Sequence, residues 1–121
     1  MDKCCIVCES PNVEEHHCIF RSQSKLLIHA KVNKIYLCPK HHRGDNGPHH
    51  NKITDDRYKR QVQEKLLELF ENDYYKQADI KELLDVSIGE TQRITKHLTV
   101  HKQGYKNKEI VFHLLGDRWF V

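Results

Sequence analysis

The stretch Cys38-Pro39-Lys40-His41-His42-Arg43-Gly44-Asp45-Asn46-Gly47-Pro48-His49-His50 decides how this chain is read. It sets one cysteine and two histidine pairs around a segment of Gly, Asn, Asp and Pro, a composition that predicts a turn or loop from His42 to Pro48. Upstream, Glu14-Glu15-His16-His17-Cys18-Ile19-Phe20 contributes a third pair of adjacent histidines. Imidazole is a common metal ligand and a base near neutral pH, so such clustering points to metal binding or proton transfer.

Two spacings define a first metal site. Cys5-Ile6-Val7-Cys8 is a C-x2-C knuckle, and Cys38-Pro39-Lys40-His41 is a C-x2-H knuckle further along the chain. Together Cys5, Cys8, Cys38 and His41 supply the four ligands of a tetrahedral structural Zn2+. Cys4 competes with Cys5 at a less usual spacing, and Cys18 reads as a small buried apolar residue. Of the five cysteines four precede Phe20, which does not suit a disulfide framework. No apolar leader follows Met1, and no run approaches the ~20 apolar residues of a membrane span. A cytoplasmic protein with reduced thiols and no membrane partner is expected.

The ordered set Cys5-x2-Cys8, Glu15-His16-His17, Asn33-x4-Cys38-x2-His41-His42 resembles the HNH, or ββα-metal, endonucleases. It is most similar to the short HNH proteins of bacteriophages, where a Glu-Glu-His-His string precedes one like Leu37-Cys38-Pro39-x-His41-His42-Arg43-Gly44 and a further histidine. The resemblance covers roughly the first half of the chain. It implies that His17 is the general base, that Asn33 braces the loop fixing that base, and that His16, His42 and His49 hold a catalytic divalent ion. His50 is the alternative to His49. Mg2+ or Mn2+ is the working ion implied, although three imidazoles also accept Ni2+, Co2+ or Zn2+. The chain departs from the commoner pattern at His41, where many members carry a second knuckle cysteine. Glu14 and Glu15 read as solvated strand-end charges, and His29, His97, His101 and His113 as surface or core histidines.

The second half has a different pattern. Thr54 is a candidate N-cap, and Tyr58, Val62, Leu66, Leu69 and Phe70 recur at helical spacing, predicting a helix from Asp55 to Glu71. Further helices are expected over Gln77–Leu84 and Glu90–Leu98. Alternation in Thr99–Gln103 and Glu109–Leu114, around the polar turn Gly104–Lys108, predicts a β-hairpin. In the first half, Cys18-Ile19-Phe20 and Ile35-Tyr36-Leu37 read as short strands. The expected fold is therefore α+β: a zinc-stabilised ββα-metal domain over residues 1–53, then a small winged-helix-like domain over 54–121.

The formal net charge of +3 says little about partners, but the interval from Thr91 to Lys108 contains five basic residues and no acidic one. That segment resembles the recognition helix and wing of a winged helix-turn-helix. The resemblance implies DNA contacts from Thr91, Gln92, Arg93, Thr95 and Lys96 on the helix and from Lys102, Lys106 and Lys108 at the wing. The functional expectation is an HNH-type DNA endonuclease leaving 5′-phosphate and 3′-hydroxyl ends, with a homodimer among the expected states. A branched-DNA resolvase, an inactive zinc-stabilised DNA-binding regulator and an RNA-directed enzyme are the alternatives.

Overall fold

A computed structural model of the chain describes residues 3–121. Strand β1 (Glu14–His17) pairs antiparallel with β2 (Lys34–Leu37) in the register Glu14↔Leu37, Glu15↔Tyr36, His16↔Ile35, His17↔Lys34. Because strand side chains alternate, Glu14 and His16 share the face of Ile35 and Leu37. His16, Ile35 and Leu37 are buried. The strand expected over Cys18–Phe20 is instead the start of the long connection between β1 and β2, which ends in a 3-10 turn at Lys31–Asn33. Its Ile19, Leu27 and Ala30 fill the core without pairing in a sheet.

Helix α1 (Pro39–Arg43) follows β2 at once, with proline at its start, where a missing N–H costs nothing. The chain then folds back through turns in which Gly47 N–H donates to Gly44 O and Asn51 N–H to Gly47 O. A Cβ on Gly47 would collide with the His41 and His42 carbonyl oxygens, so only glycine allows this segment to lie against α1. Helix α2 (Lys52–Leu69) starts earlier than the sequence predicts, because Asn51 and not Thr54 is the cap. The Asn51 side chain accepts from Thr54 N–H at 3.1 Å. The expected apolar stripe holds: Tyr58, Val62, Leu66 and, at the helix end, Phe70 are buried.

The rest of the chain runs β3 (Tyr74–Tyr75), α3 (Gln77–Leu84), α4 (Ile88–Thr95), β4 (Val100–His101), β5 (Gly104–Lys106) and α5 (Asn107–Leu114). The second sheet has the order β3-β5-β4, all antiparallel. Asp85 ends α3 in the left-handed conformation (φ 52°), which a short polar side chain tolerates. Ser87 then caps α4 by accepting from Glu90 N–H. The predicted hairpin needs correction. It turns at Lys102-Gln103, and Glu109–Leu114 is not a strand but part of α5. The reason is packing: Ile110, Val111 and Leu114 are spaced to bury one helical face, where a strand would have buried alternate residues.

One continuous apolar cluster runs from Cys5 to Leu115, and α2 touches both the 3-10 turn of the first half and α5 of the second. The C-terminal segment is tied to α2, since Gln63 accepts from Phe120 N–H at 2.7 Å and donates to Phe120 O at 2.9 Å. No helix among the described residues is long and apolar enough to cross a membrane.

Candidate metal centres

Cys5, Cys8, Cys38 and His41 converge, with one ligand atom from each lying within 4.8 Å of all the others. Cys8 Sγ is 3.7 Å from Cys38 Sγ, and His41 Nδ1 lies 3.2 Å from Cys38 Sγ and 3.7 Å from Cys5 Sγ. A tetrahedral zinc holding sulfurs at about 2.3 Å would space them about 3.8 Å apart, and sulfur from nitrogen about 3.5 Å. The observed spacings match that set. The electrostatics match as well. Burial opposes ionisation of Cys5, yet backbone hydrogen bonds from Cys38, Cys8 and Val7 outweigh it and lower the thiol to about 6. At Cys8 a backbone hydrogen bond from Ser10 favours the thiolate, while desolvation and the neighbouring Cys38 and Cys5 sulfurs raise the pKa. Crowded sulfurs of this kind are relieved by a cation. Cys4 is exposed and outside the cluster. Cys18 is buried, its thiol pushed up to about 12, and acts as an inert core residue.

The second cluster joins His16 of β1, His42 of α1 and His49 of the turn behind α1. His42 Nε2 lies 3.1 Å from His16 Nδ1 and 3.0 Å from His49 Nε2. The opposite nitrogen, His42 Nδ1, is 2.8 Å from Glu14 Oε1, whose other oxygen pairs with Arg43. A carboxylate only accepts, so Nδ1 carries a proton, and it is Nε2 that faces the other two histidines and would be the ligating nitrogen. Three ring nitrogens brought this close together could be satisfied at once by a single divalent cation. Nitrogens at about 2.1 Å from one ion stand about 3.0 Å apart at right angles and about 3.4 Å apart in a tetrahedron. The two spacings to His42, 3.1 and 3.0 Å, fall in the range that a shared ion would need.

Burial, then the charges of His42, His49 and His17, drive the His16 pKa down to about 3. Burial and His42 also lower His49, against an opposing pull from Asp55. His16 is thus held neutral, as ligation requires. His16 Nε2 is a buried nitrogen without a protein partner. Phe20 stacks on His49 with ring planes 10° apart, and the buried Lys59 ammonium lies 3.7 Å from the Phe20 ring centre while pairing with Asp55. His49 and His50 are both exposed, but only His49 has its ring in the cluster, so the geometry favours His49 of the two alternatives.

His17, the residue next to His16, is fixed in a different way. Its Nε2 lies 3.0 Å from the carbonyl oxygen of Ile28, which can only accept. A proton therefore sits on Nε2, so that the neutral form of this 24% exposed side chain has its lone pair on Nδ1. Asn33 secures the loop carrying that carbonyl. Its Oδ1 accepts from Ile19 N–H at 2.7 Å, and its Nδ2 donates to Ile19 O at 3.0 Å and Leu27 O at 3.4 Å. Sequence reasoning missed Glu14 as the partner of His42. The signal was available, since strand periodicity places Glu14 on the face of His16. It also missed Asp55 and Lys59, whose pairing beside Phe20 no local motif announces.

Among the residues expected to touch DNA, Gln92 and Arg93 are exposed on α4 and Lys96 at its C-cap, and Lys102, Lys106 and Lys108 are exposed on and beside the hairpin. Thr91 and Thr95 are corrected: both are buried. Thr91 Oγ1 donates to Ser87 O, and Thr95 Oγ1 donates to Thr91 O and accepts from Gln77. They pack α4 against α3 and have no face free for a groove. Compared with protein-family models, curated proteins and solved structures, the chain gives no match.

Proposed function

We propose that the protein is a metal-dependent DNA endonuclease of the HNH type, with chemistry in the β1–β2–α1 segment and DNA positioning by the later helices. The observation that carries this reading is His17: a histidine with its tautomer fixed by a backbone carbonyl, its loop pinned by a buried asparagine, adjacent in sequence to a ligand of a three-histidine cation site. A purely structural metal site has no use for that arrangement. His17 Nδ1 takes a proton from water, whose oxygen forms the new bond to phosphorus as the bond to the 3′ oxygen breaks and that oxygen takes a proton from solvent. General base catalysis of this kind contributes about 10²–10⁴-fold. A divalent ion on His16, His42 and His49 would supply charge stabilisation at the phosphate and the leaving oxygen. Glu14 orients His42 for that role, and Asn33 orients His17. The expected ends are 5′-phosphate and 3′-hydroxyl.

The order α2-β3-α3-α4-β4-β5, with β3 pairing on β5, supports the winged-helix reading, in which α4, with Gln92 and Arg93 exposed on it and Lys96 at its C-cap, would be the recognition helix. The same feature favours the second reading, a DNA-binding regulator without turnover. Supercoiled plasmid incubated with Mg2+, Mn2+ or Ni2+, against an EDTA control, separates the two. The nuclease gives metal-dependent nicks or breaks with ligatable 5′-phosphates. DNA binding with no cut under any metal, on plasmid or branched duplex, supports the regulator.

A further inference from the structure

A surface far along the chain from the histidine cluster carries chemistry that the cleavage site does not use. Trp119 and Phe112 form an aromatic pair with ring centroids 5.4 Å apart and planes inclined at 50°. They line a shallow cleft of about 390 Å3 together with Lys106, Lys108 and Glu109. Small-ligand clefts run from about 300 to 1,000 Å3, so the space suits one ring system. Trp119 is 41% exposed. It is nevertheless held in place, because the neighbouring Phe120 backbone is clamped at both N–H and C=O by Gln63. Glu109 on the same rim is hydrogen-bonded to His101 at 2.9 Å, and two lysines against one carboxylate leave the rim positive on balance.

We propose that this cleft is a stacking site for an unpaired nucleobase, with Lys106 and Lys108 holding the phosphates on either side. An exposed aromatic face beside cations is what single-stranded nucleic acid recognises: the base stacks and the backbone is neutralised. A second copy of this chain fits less well, since a twofold contact through Trp119 would bring identical lysines towards one another. The inference rests on the reading of the protein as DNA-directed and gives it a substrate preference, for DNA that presents unpaired bases near the cut.

Trp119 is the single tryptophan in the chain, so its fluorescence reports the cleft directly. The full-length His17→Ala protein is titrated with single-stranded DNA, a branched duplex with unpaired bases and a blunt duplex, with labelled-DNA anisotropy read in parallel. The expected result is quenching by the first two and little change with the blunt duplex. In the Lys106→Ala/Lys108→Ala variant, the slope of log affinity against log salt for the single strand falls by about 1.4. Trp119→Ala weakens single-strand binding roughly tenfold as read by anisotropy. Unchanged fluorescence when anisotropy shows saturation overturns the proposal, as does equal quenching by blunt duplex. Quenching that grows with protein concentration alone overturns it in favour of a second copy. The readout is binding, so it stands or falls separately from cleavage.

Discussion

Glu14 Oε1 accepts a 2.8 Å hydrogen bond from Nδ1 of His42, and this contact decides which nitrogen His42 turns towards His16 and His49. The His42 bond, aided by Arg43 against some desolvation, also holds the Glu14 carboxyl below its ordinary value. Carboxylates behind metal-bound imidazoles fix the tautomer and strengthen the ligand. Glu14→Gln can turn its amide oxygen to the ring, but it gives up the charge. Its affinity for Mn2+ or Ni2+, measured by calorimetry, is expected to fall about 10–100-fold while the melting temperature changes little. An affinity equal to wild type would show that Glu14 is only a surface charge.

The knuckle cluster is expected to be part of the fold itself. Structural zinc in small domains contributes roughly 10–16 kcal/mol of apparent binding energy, comparable to the whole stability of such a domain. Cys38→Ser should lose zinc by metal analysis and lose the cooperative thermal transition. Cys4→Ser should keep both, since Cys4 stands outside the cluster. Zinc retained in Cys38→Ser with an unchanged transition would contradict the ligand set.

Asn33→Ala removes three buried hydrogen bonds and strands Ile19 N–H inside the protein. A loss of about 2–3 kcal/mol is expected from denaturant midpoints. Cleavage should fall further than stability explains when measured where the variant is still folded, because the Ile28 carbonyl then no longer holds His17. Full activity in the folded variant would separate Asn33 from the base.

The Lys59 ammonium is almost wholly enclosed, with Asp55 as its ionic partner and Phe20 against it. Removing one member of a buried pair commonly costs about 3–5 kcal/mol, because the other charge is left unpaired. Asp55→Ala is expected to destabilise the protein by that amount in urea, and Lys59→Met combined with Asp55→Leu should recover most of the loss. A single-variant effect below about 1 kcal/mol would mean that water reaches Lys59.

How much of this the sequence made legible follows from the range of each interaction. The knuckle pairs and the histidine clustering are readable because residue type and spacing carry the chemistry, while the parts given to His17 and Asn33 rest on the family resemblance. The stripe of Tyr58, Val62 and Leu66 is readable because helical periodicity is local. The second strand of the hairpin was misplaced because Ile110, Phe112 and Leu114 alternate as a strand would over so short a run, whereas the residues actually buried are Ile110, Val111 and Leu114, a helical face that packing against α2 selects. Thr91 and Thr95 look like polar surface residues, yet their hydroxyls are satisfied by the carbonyls of their own helix. The carbonyl that orients His17 belongs to the backbone of Ile28, and no side-chain pattern points to a backbone acceptor.

The central claim is that His17 moves a proton while its neighbours hold the ion, and His17→Ala tests it most directly. Mn2+ binding and cleavage rate are measured on the same preparation as wild type, with DNA affinity as the control. The account predicts unchanged Mn2+ stoichiometry and DNA binding with at least about a hundredfold loss of cleavage. Wild-type cleavage by His17→Ala would contradict it.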